Sequence, residues 1–480
     1  MVFQLRIVRA SLRGSLRRLG SSPPLPHPRR LGPRNVVRLQ RRKLLQPRIG
    51  LERIFWGWRR LGEDLHIHSI ARGIRRKFHG PRRLGRILRR IPSSPRHDWK
   101  ETAQKCGFRF HTIEGDLYWD ESARYEFSLT EIERDLEDPT GEIHSMCMDL
   151  VDRVVRSQEL MERLAIPEMH RDLVANSWRR GDPHLYGRMD FSYDGNGPAK
   201  LLELNYDTPT SLYEASFFQW VWLEQMRERN DLPATADQYN TIQEDLMDVF
   251  QHLRALTGAT GAETDAAFVF SAVRGSEEDK GTAQYLQDLA SQAGFRTRFE
   301  NIEDIGIDAQ GRFTDSVDEV IRWAFKLYPW EWLFEESFGQ YLSTSPTLWL
   351  EPPWKAILSN KGILPLLWES HPDHPNLLPA FFEDDSSADL PAGWVRKPLH
   401  SREGANIRIR TQQGQRIEVD GPYGEGPAIR QAYHPLPNFD GRYALVGSWV
   451  VGDRPTGIGM REDDTLVTRD SSRFVPHVIL

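Results

Sequence analysis

Two short stretches near the middle of the chain alternate polar and apolar residues with period two. In Tyr186-Gly-Arg-Met-Asp-Phe191, Arg188 and Asp190 fall on one face. In Leu201-Leu-Glu-Leu-Asn205, Glu203 and Asn205 share a face while Leu202 and Leu204 point the other way. Side chains alternate along a strand, so both stretches are expected as strands. The turn signal Asp194-Gly-Asn-Gly-Pro198 between them makes a hairpin-like pair. Where the polar faces coincide, two carboxylates, an amide oxygen and a guanidinium meet. That set suits Mg2+, with a cation beside it for phosphate oxygens. Any half-buried strand with a solvated face shows the same alternation. Two such pairs around one turn, followed by Asp207-Thr-Pro-Thr-Ser211, shift the balance toward a site.

Elsewhere the hydrophobic spacing predicts helices over 99–106, 128–165, 213–229 and 240–257. Ser128 or Thr130 is expected to cap the second, whose apolar side includes Met146, Leu150, Val154 and Val155. Residues 108–113 have strand character. A strand at 266–270, a helix over 279–294 and a strand at 295–301 predict a small α/β unit. A strand within 317–328 carries Arg322 and Lys326. Residues 354–368 read as helical up to a kink at Pro365, and 381–393 as a loop. The segments 394–398, 428–431, 443–451 and 455–460 read as strands of a mixed or antiparallel sheet.

A chain of 480 residues suggests two or three domains, or one large one, and 39% hydrophobic residues are enough for a substantial core. The two cysteines, Cys106 and Cys147, fit neither a disulfide framework nor a zinc site. A reducing, cytoplasmic location is therefore expected. No run of 18 apolar residues predicts a membrane span.

The net charge of −5 conceals a division. Residues 1–97 hold 26 Lys and Arg against 3 Asp and Glu, whereas the remainder holds 37 against 65. The leader repeats Arg-Arg-Leu-Gly at Arg17–Gly20, Arg29–Gly32, Arg59–Gly62 and Arg82–Gly85, without a regular period. It reads as a nucleic-acid-binding arm, a targeting peptide, a segment lying on the acidic body, or sequence translated from a misassigned start. The last reading is preferred, with disorder expected in every case.

The motifs Tyr118-Trp-Asp-Glu121, Tyr186-Gly-Arg-Met-Asp190, Leu202-Glu-Leu-Asn-Tyr-Asp-Thr-Pro-Thr210 and Trp354-Lys…Ser359-Asn-Lys361 occur in order. So do Pro365-Leu-Leu-Trp368, Val395-Arg-Lys-Pro398, Gly447-Ser-Trp449 and Gly457-Ile-Gly-Met-Arg-Glu462. From about residue 95 to the C-terminus the chain resembles the ATP-grasp synthetase domain of bacterial glutathionylspermidine synthetase, particularly its stand-alone acid–amine ligase relatives. The resemblance implies an α/β (α+β) ATP-grasp fold over 95–480. Mixed and antiparallel sheets are expected, with a small α/β subdomain at about 260–345, after the leader of residues 1–94.

It further implies an ATP- and Mg2+-dependent ligase. A carboxylate takes the γ-phosphoryl group, and an amine attacks the acyl phosphate to give an amide. Carried over residue by residue, Asp190, Glu203 and Asn205 match the magnesium ligands. Arg188 matches the transition-state arginine, and Arg461 a second arginine near the acyl phosphate. Lys355 and Lys397 match lysines on the ATP phosphates. Gln431, Ala432, Tyr433 and His434 match the adenine-holding strand and linker, and Leu466, Val467 and Thr468 a segment close to the nucleotide. Thr208 and Ser211 are expected contacts of the acid. The loop Ser401-Arg-Glu-Gly-Ala-Asn406 resembles the phosphate-covering loop.

Bifunctional members carry an N-terminal Cys/His amidase, which nothing in residues 1–94 matches. The expected substrates are a glutathione-like peptide acid and a polyamine, a pair supplied by the resemblance alone. Nucleic acid is expected only through the basic arm. The competing reading is a nucleotide-binding or RNA-associated protein without catalysis.

Overall fold

The computed structural model describes residues 88–480, except 114, 260–265, 386–389, 391, 424–425 and 470–471. The readings of residues 1–87 therefore lie outside the described residues. The first described strand, Arg89–Pro92, pairs antiparallel with Ala123–Phe127, which pairs in parallel with His477–Ile479. Among the described residues, paired structure thus begins upstream of the expected boundary at 95, and the C-terminal strand joins the same small sheet as the first described one.

Three larger sheets follow. The central sheet runs in the order Arg473–Val475, Arg454–Asp463, Arg442–Val451, Tyr186–Ser192, Lys200–Asn205, with Asn438–Phe439 also on Arg442–Val451. Every pairing in it is antiparallel. A second antiparallel sheet has the order Ala380–Phe382, Ala428–Ala432, Trp394–Pro398, Arg408–Arg410, Arg416–Glu418. The third is parallel throughout, in the order Leu348–Leu350, Trp323–Leu327, Phe268–Ala272, Thr297–Asn301. Helix Glu277–Gln292 connects its strands Phe268–Ala272 and Thr297–Asn301, as a parallel pair requires. The fold is therefore mixed α/β with several sheets, and the small α/β unit is present.

Local chemistry accounts for most of these elements. The Ser128 side chain accepts from the Glu131 backbone N–H and the Glu131 carboxylate from that of Ser128, a reciprocal cap. Helix Asp138–Val154 buries Ile143, Met146, Cys147, Leu150, Val151 and Val154, a stripe at helical spacing. Helix Glu168–Arg180 is absent from the sequence reading. Gly181, at φ +66°, ends it in the left-handed conformation that glycine adopts without penalty.

Pro365 does not kink a helix, as the sequence reading expects. The helix runs Ile363–Ser370, which puts Pro365 in its first turn, where a backbone N–H would have no partner anyway. Among the described residues no helix is long and apolar enough to cross a membrane.

Candidate active site

The expected hairpin forms. Arg188 lies opposite Asn205 and Asp190 opposite Glu203, so all four polar side chains share one face. A shift of register between Asp190 and Phe191 ends this alignment. The alternate face packs inward, with Met189 and Leu204 buried. Behind the hairpin, a Cβ on Gly187 would stand 2.7 Å from the Tyr206 ring, so that strand position needs glycine.

Arg188 grips Asp190 with two parallel bonds, Nε to Oδ1 at 2.6 Å and Nη2 to Oδ2 at 2.9 Å. Its Nη1 donates to the Thr210 carbonyl at 2.7 Å, and its guanidinium lies 5.7 Å from the Trp449 ring centroid. The Asn205 amide donates to Asp190 at 3.1 Å. Gly447 pairs with Asp190 on the neighbouring strand, and a Cβ there would stand 2.9 Å from the Arg188 Cδ. Because both ends of the guanidinium are pinned, Arg188 has little room to yield. Gly447→Ala is expected to lower turnover by about 10²-fold through misplacement of Arg188. It should cost only about 1–3 kcal/mol in stability. Turnover and thermal melting of the one variant test both.

Two open clefts meet at the hairpin. One is lined mostly by apolar side chains, among them Leu202, Val395, Ile407, Ile409 and Leu445. Lys397, the run Gln431–His434 and the run Leu466–Thr468 complete it. The other is charged: Arg188, Lys361, Arg402, Arg461 and Arg469 line it together with Asp279 and Glu403. Asp190, Glu203, Gly404 and Thr468 line both.

The loop 401–406 closes over the junction. The Lys361 ammonium donates to the Ser401 carbonyl at 2.6 Å. Arg402 bridges Thr208 Oγ1 at 2.6 Å and Glu331 at 2.7 Å. Gly404, at φ +71°, presses so close to Val467 that a Cβ would stand 2.3 Å from its Cγ1. Only glycine suits both the conformation and the contact.

Most of the residues named from the sequence come together here. Arg188, Asp190, Glu203, Asn205, Thr208, Lys397, Gln431, Ala432, Tyr433, His434, Arg461, Leu466, Val467 and Thr468 all line one cleft or the other. Lys355 does not. It is fully buried, ion-paired with Glu351, and donates to the Tyr186 carbonyl at 2.6 Å. Lys361, in contrast, lies 3.3 Å from Glu203 and lines the charged cleft. Ser211 is also buried outside the cleft lining, its hydroxyl 2.9 Å from that of Tyr118. Lys361 lies in the motif Ser359-Asn-Lys361 and Arg402 in the loop 401–406, neither with an expected role of its own, and Arg469 and Asp279 carry no expected role.

The electrostatics reflect this crowding. Burial raises the Asp190 carboxyl above its ordinary range, with Arg188 pulling the other way. Burial also opposes the Glu203 charge, but Lys361, Lys397 and Arg188 overcome it and hold the carboxyl down at about 2. Burial lowers the Lys397 ammonium to about 8 against the pull of Glu203. That ammonium donates to the Leu202 carbonyl at 2.7 Å and to Gln431 at 2.9 Å.

Among the described residues no group of three or more His, Cys, Asp or Glu side chains is arranged to hold a metal. The hairpin offers two carboxylates and one amide. Mg2+ commonly takes one or two protein carboxylates and completes its shell with water and substrate phosphates, so this donor set fits it.

The family model described as Glutathionylspermidine synthase preATP-grasp matches residues 90–480. A Haemophilus influenzae protein described as "Putative acid--amine ligase" is 40% identical over 402 residues, covering 81% of this chain and 99% of its own. Trypanothione synthetase of Crithidia fasciculata is 29% identical over 69% of this chain and 53% of its own. Bifunctional glutathionylspermidine synthetase/amidase of Escherichia coli is 27% identical over 74% of this chain and 59% of its own. The chain thus spans little more than half the length of these two longer relatives. Among solved structures, a glutathione synthetase-like effector from Globodera pallida aligns with a TM-score of 0.49 and 10% identity, over 80% of this chain and 96% of that one.

Proposed function

The chain belongs to the glutathionylspermidine synthase preATP-grasp family, and we propose that it is an ATP- and Mg2+-dependent ligase with an ATP-grasp fold, joining a carboxylic acid to an amine through an acyl phosphate. The observation that carries this reading is the junction of the two clefts at Asp190 and Glu203. An apolar cleft suits a nucleotide base, a charged one suits an acid and an amine, and the reacting groups would meet between them.

In this reading the base of ATP lies against Gln431, Ala432, Tyr433 and His434, beside Leu466, Val467 and Thr468. Lys397 and Lys361 hold its phosphates. Asp190, Glu203 and Asn205 would hold Mg2+, which neutralises phosphate oxygens. Arg188 and Arg461 orient the acid, with Thr208 as a further contact. A carboxylate oxygen attacks the γ-phosphorus, the bond to the β-phosphate oxygen breaks, and ADP leaves. The amine then attacks the acyl carbon, phosphate leaves, and the amine loses a proton to give the amide. Positioning and charge stabilisation do most of the work, as in other phosphoryl transfers. Asp279 and Glu403 offer negative charge to an incoming ammonium. A glutathione-like peptide and a polyamine are the substrates that the family suggests.

Release of ADP against a panel of acids and amines tests the reading. ADP should form only with an acid, an amine and Mg2+ together, and should vanish in Asp190→Ala. Undiminished turnover in that variant would remove the site assignment.

The Lys397 ammonium supplies a pH signature. Its proton is held below about pH 8 and lost above it, and phosphates favour the charged form. The ATP KM is therefore expected to be flat below about pH 8 and to rise up to about tenfold per pH unit above it. Lys397→Met should raise KM at low pH and flatten the rise. A wild-type profile without a rise would exclude this role.

A further inference from the structure

A third cleft, which the proposed chemistry leaves unused, borders the charged one. Its walls come from helix Trp330–Glu335, the segment around Ile166 and the end of strand Trp394–Pro398. Along that strand Lys397 faces the apolar cleft of the candidate site, and the next residue, Pro398, faces the third cleft. Trp332, which is 36% exposed, lines both the third cleft and the charged one. One strand and one tryptophan therefore tie this cleft to the other two.

Ile166, Pro398 and Leu399 give the third cleft an aliphatic wall, and Trp332 and Tyr423 an aromatic one. Two carboxylates line it as well, Glu331 and Glu335, one helical turn apart. Like charges at that spacing repel each other. Arg402 answers the first of them. Its Nη2 donates to Glu331 at 2.7 Å, its Nη1 donates to Thr208 in the charged cleft at 2.6 Å, and its guanidinium lies 6.0 Å from the Trp332 ring centroid. Glu335 is exposed, and among the described residues it has no ion-pair partner. His400 lines the cleft too, but burial lowers its imidazole from the ordinary value against the pull of Glu331, so it adds no positive charge at neutral pH. An aliphatic and aromatic trough with an unanswered carboxylate suits an alkyl chain that ends in an ammonium.

We propose that the third cleft is a subsite for the remote, ammonium-bearing tail of a substrate whose reacting end lies in the charged cleft. Glu335 binds the ammonium, and Trp332 is the edge that the tail crosses. The proposal rests on the reading of the charged cleft as the place where acid and amine react. The tail belongs to the amine or to the acid, and in either case brings the same group to the same wall.

The test is a ratio of kcat/KM values for ADP release, which does not depend on the fraction of enzyme that is folded. Two pairs are compared in the presence of ATP and Mg2+. One is α,ω-diaminooctane against octylamine with a single acid. The other is a peptide acid with a free amino terminus against its N-acetyl form with a single amine. In wild type the ammonium-bearing member of one pair should be favoured by about 10-fold or more, the scale of a charge-assisted bond, and that pair identifies the source of the tail. Glu335→Gln should bring the ratio close to unity, and Glu335→Lys should invert it. Equal rates within both pairs in wild type, or a preference that Glu335→Gln leaves intact, overturn the proposal. Calorimetric titration with diaminooctane reads the subsite without turnover. Wild type should bind it about 10-fold more tightly than Glu335→Gln, and equal binding, or none to wild type, counts against the proposal. If no acid–amine pair yields ADP with wild type, the ligase reading itself fails, and the titration alone decides the subsite.

Discussion

Arg188→Ala should lower kcat/KM for ADP release by about 10³-fold, the scale on which an arginine stabilises phosphoryl transfer, while the ATP KM changes little. Nucleotide and acid occupy different clefts in the proposed site, and Arg188 lines only the charged one. Its guanidinium is spoken for on three sides: two bonds to Asp190 and one to the Thr210 carbonyl. That geometry fixes the side chain before any substrate arrives, which is the economy of a preorganised site.

Removing Arg188 also strands Asp190, which is 2% exposed and already raised by burial. Breaking one partner of such a pair costs about 3–5 kcal/mol, so Arg188→Ala should also melt well below wild type. The double variant Arg188→Met, Asp190→Asn separates the effects. With both charges gone, much of the stability should return and none of the activity. Recovery of turnover in the double variant would show that the single variant had failed through misfolding, not through loss of the cation.

The hairpin was legible in the sequence because one face of it is buried. Met189 and Leu204 fix which side chains point inward, so Arg188, Asp190, Glu203 and Asn205 had to share the other face once the turn between them was recognised. The parallel unit was legible for a similar reason, since its short apolar strands bracket an amphipathic helix. Helix Glu168–Arg180 was not, because its inner face includes His170 and Ser177, which interrupt the apolar count. The Arg402 bridge was hidden differently. Its partners Thr208 and Glu331 are 194 and 71 residues away, and no local pattern encodes such a meeting. The pull of three cations on Glu203 likewise exists only once the hairpin and the distant segments carrying Lys361 and Lys397 are assembled.

The two lysines near 360 carry the other large expected effect, because their linear settings point the wrong way. Pro-Pro-Trp-Lys355 reads as a lysine held in apolar surroundings, and it is. Burial signals only that an ammonium has a partner, however, and the partner of Lys355 is Glu351, four residues earlier in the core. Burial lowers the Lys355 ammonium and raises the Glu351 carboxyl, each attraction opposing its own desolvation. Glu351 also takes the Leu185 backbone N–H at 3.1 Å and that of Tyr186 at 3.2 Å, so the pair anchors the start of the hairpin strand.

Lys361 follows Asn360, whose side chain bonds the Leu164 carbonyl and the Gly362 N–H. Those contacts aim the residue after it at the cleft junction. Lys355→Met should therefore act on stability, losing about 3–5 kcal/mol as Glu351 is left unpaired, with the ATP KM of the folded fraction near wild type. Lys361→Ala should do the reverse. Losing a charge-assisted bond worth about 1.5–3 kcal/mol raises the ATP KM by about 10- to 100-fold, with little change in melting. Thermal melts and ATP titrations on the two variants decide the matter, and a large KM effect confined to Lys355→Met would return the phosphate contact to Lys355.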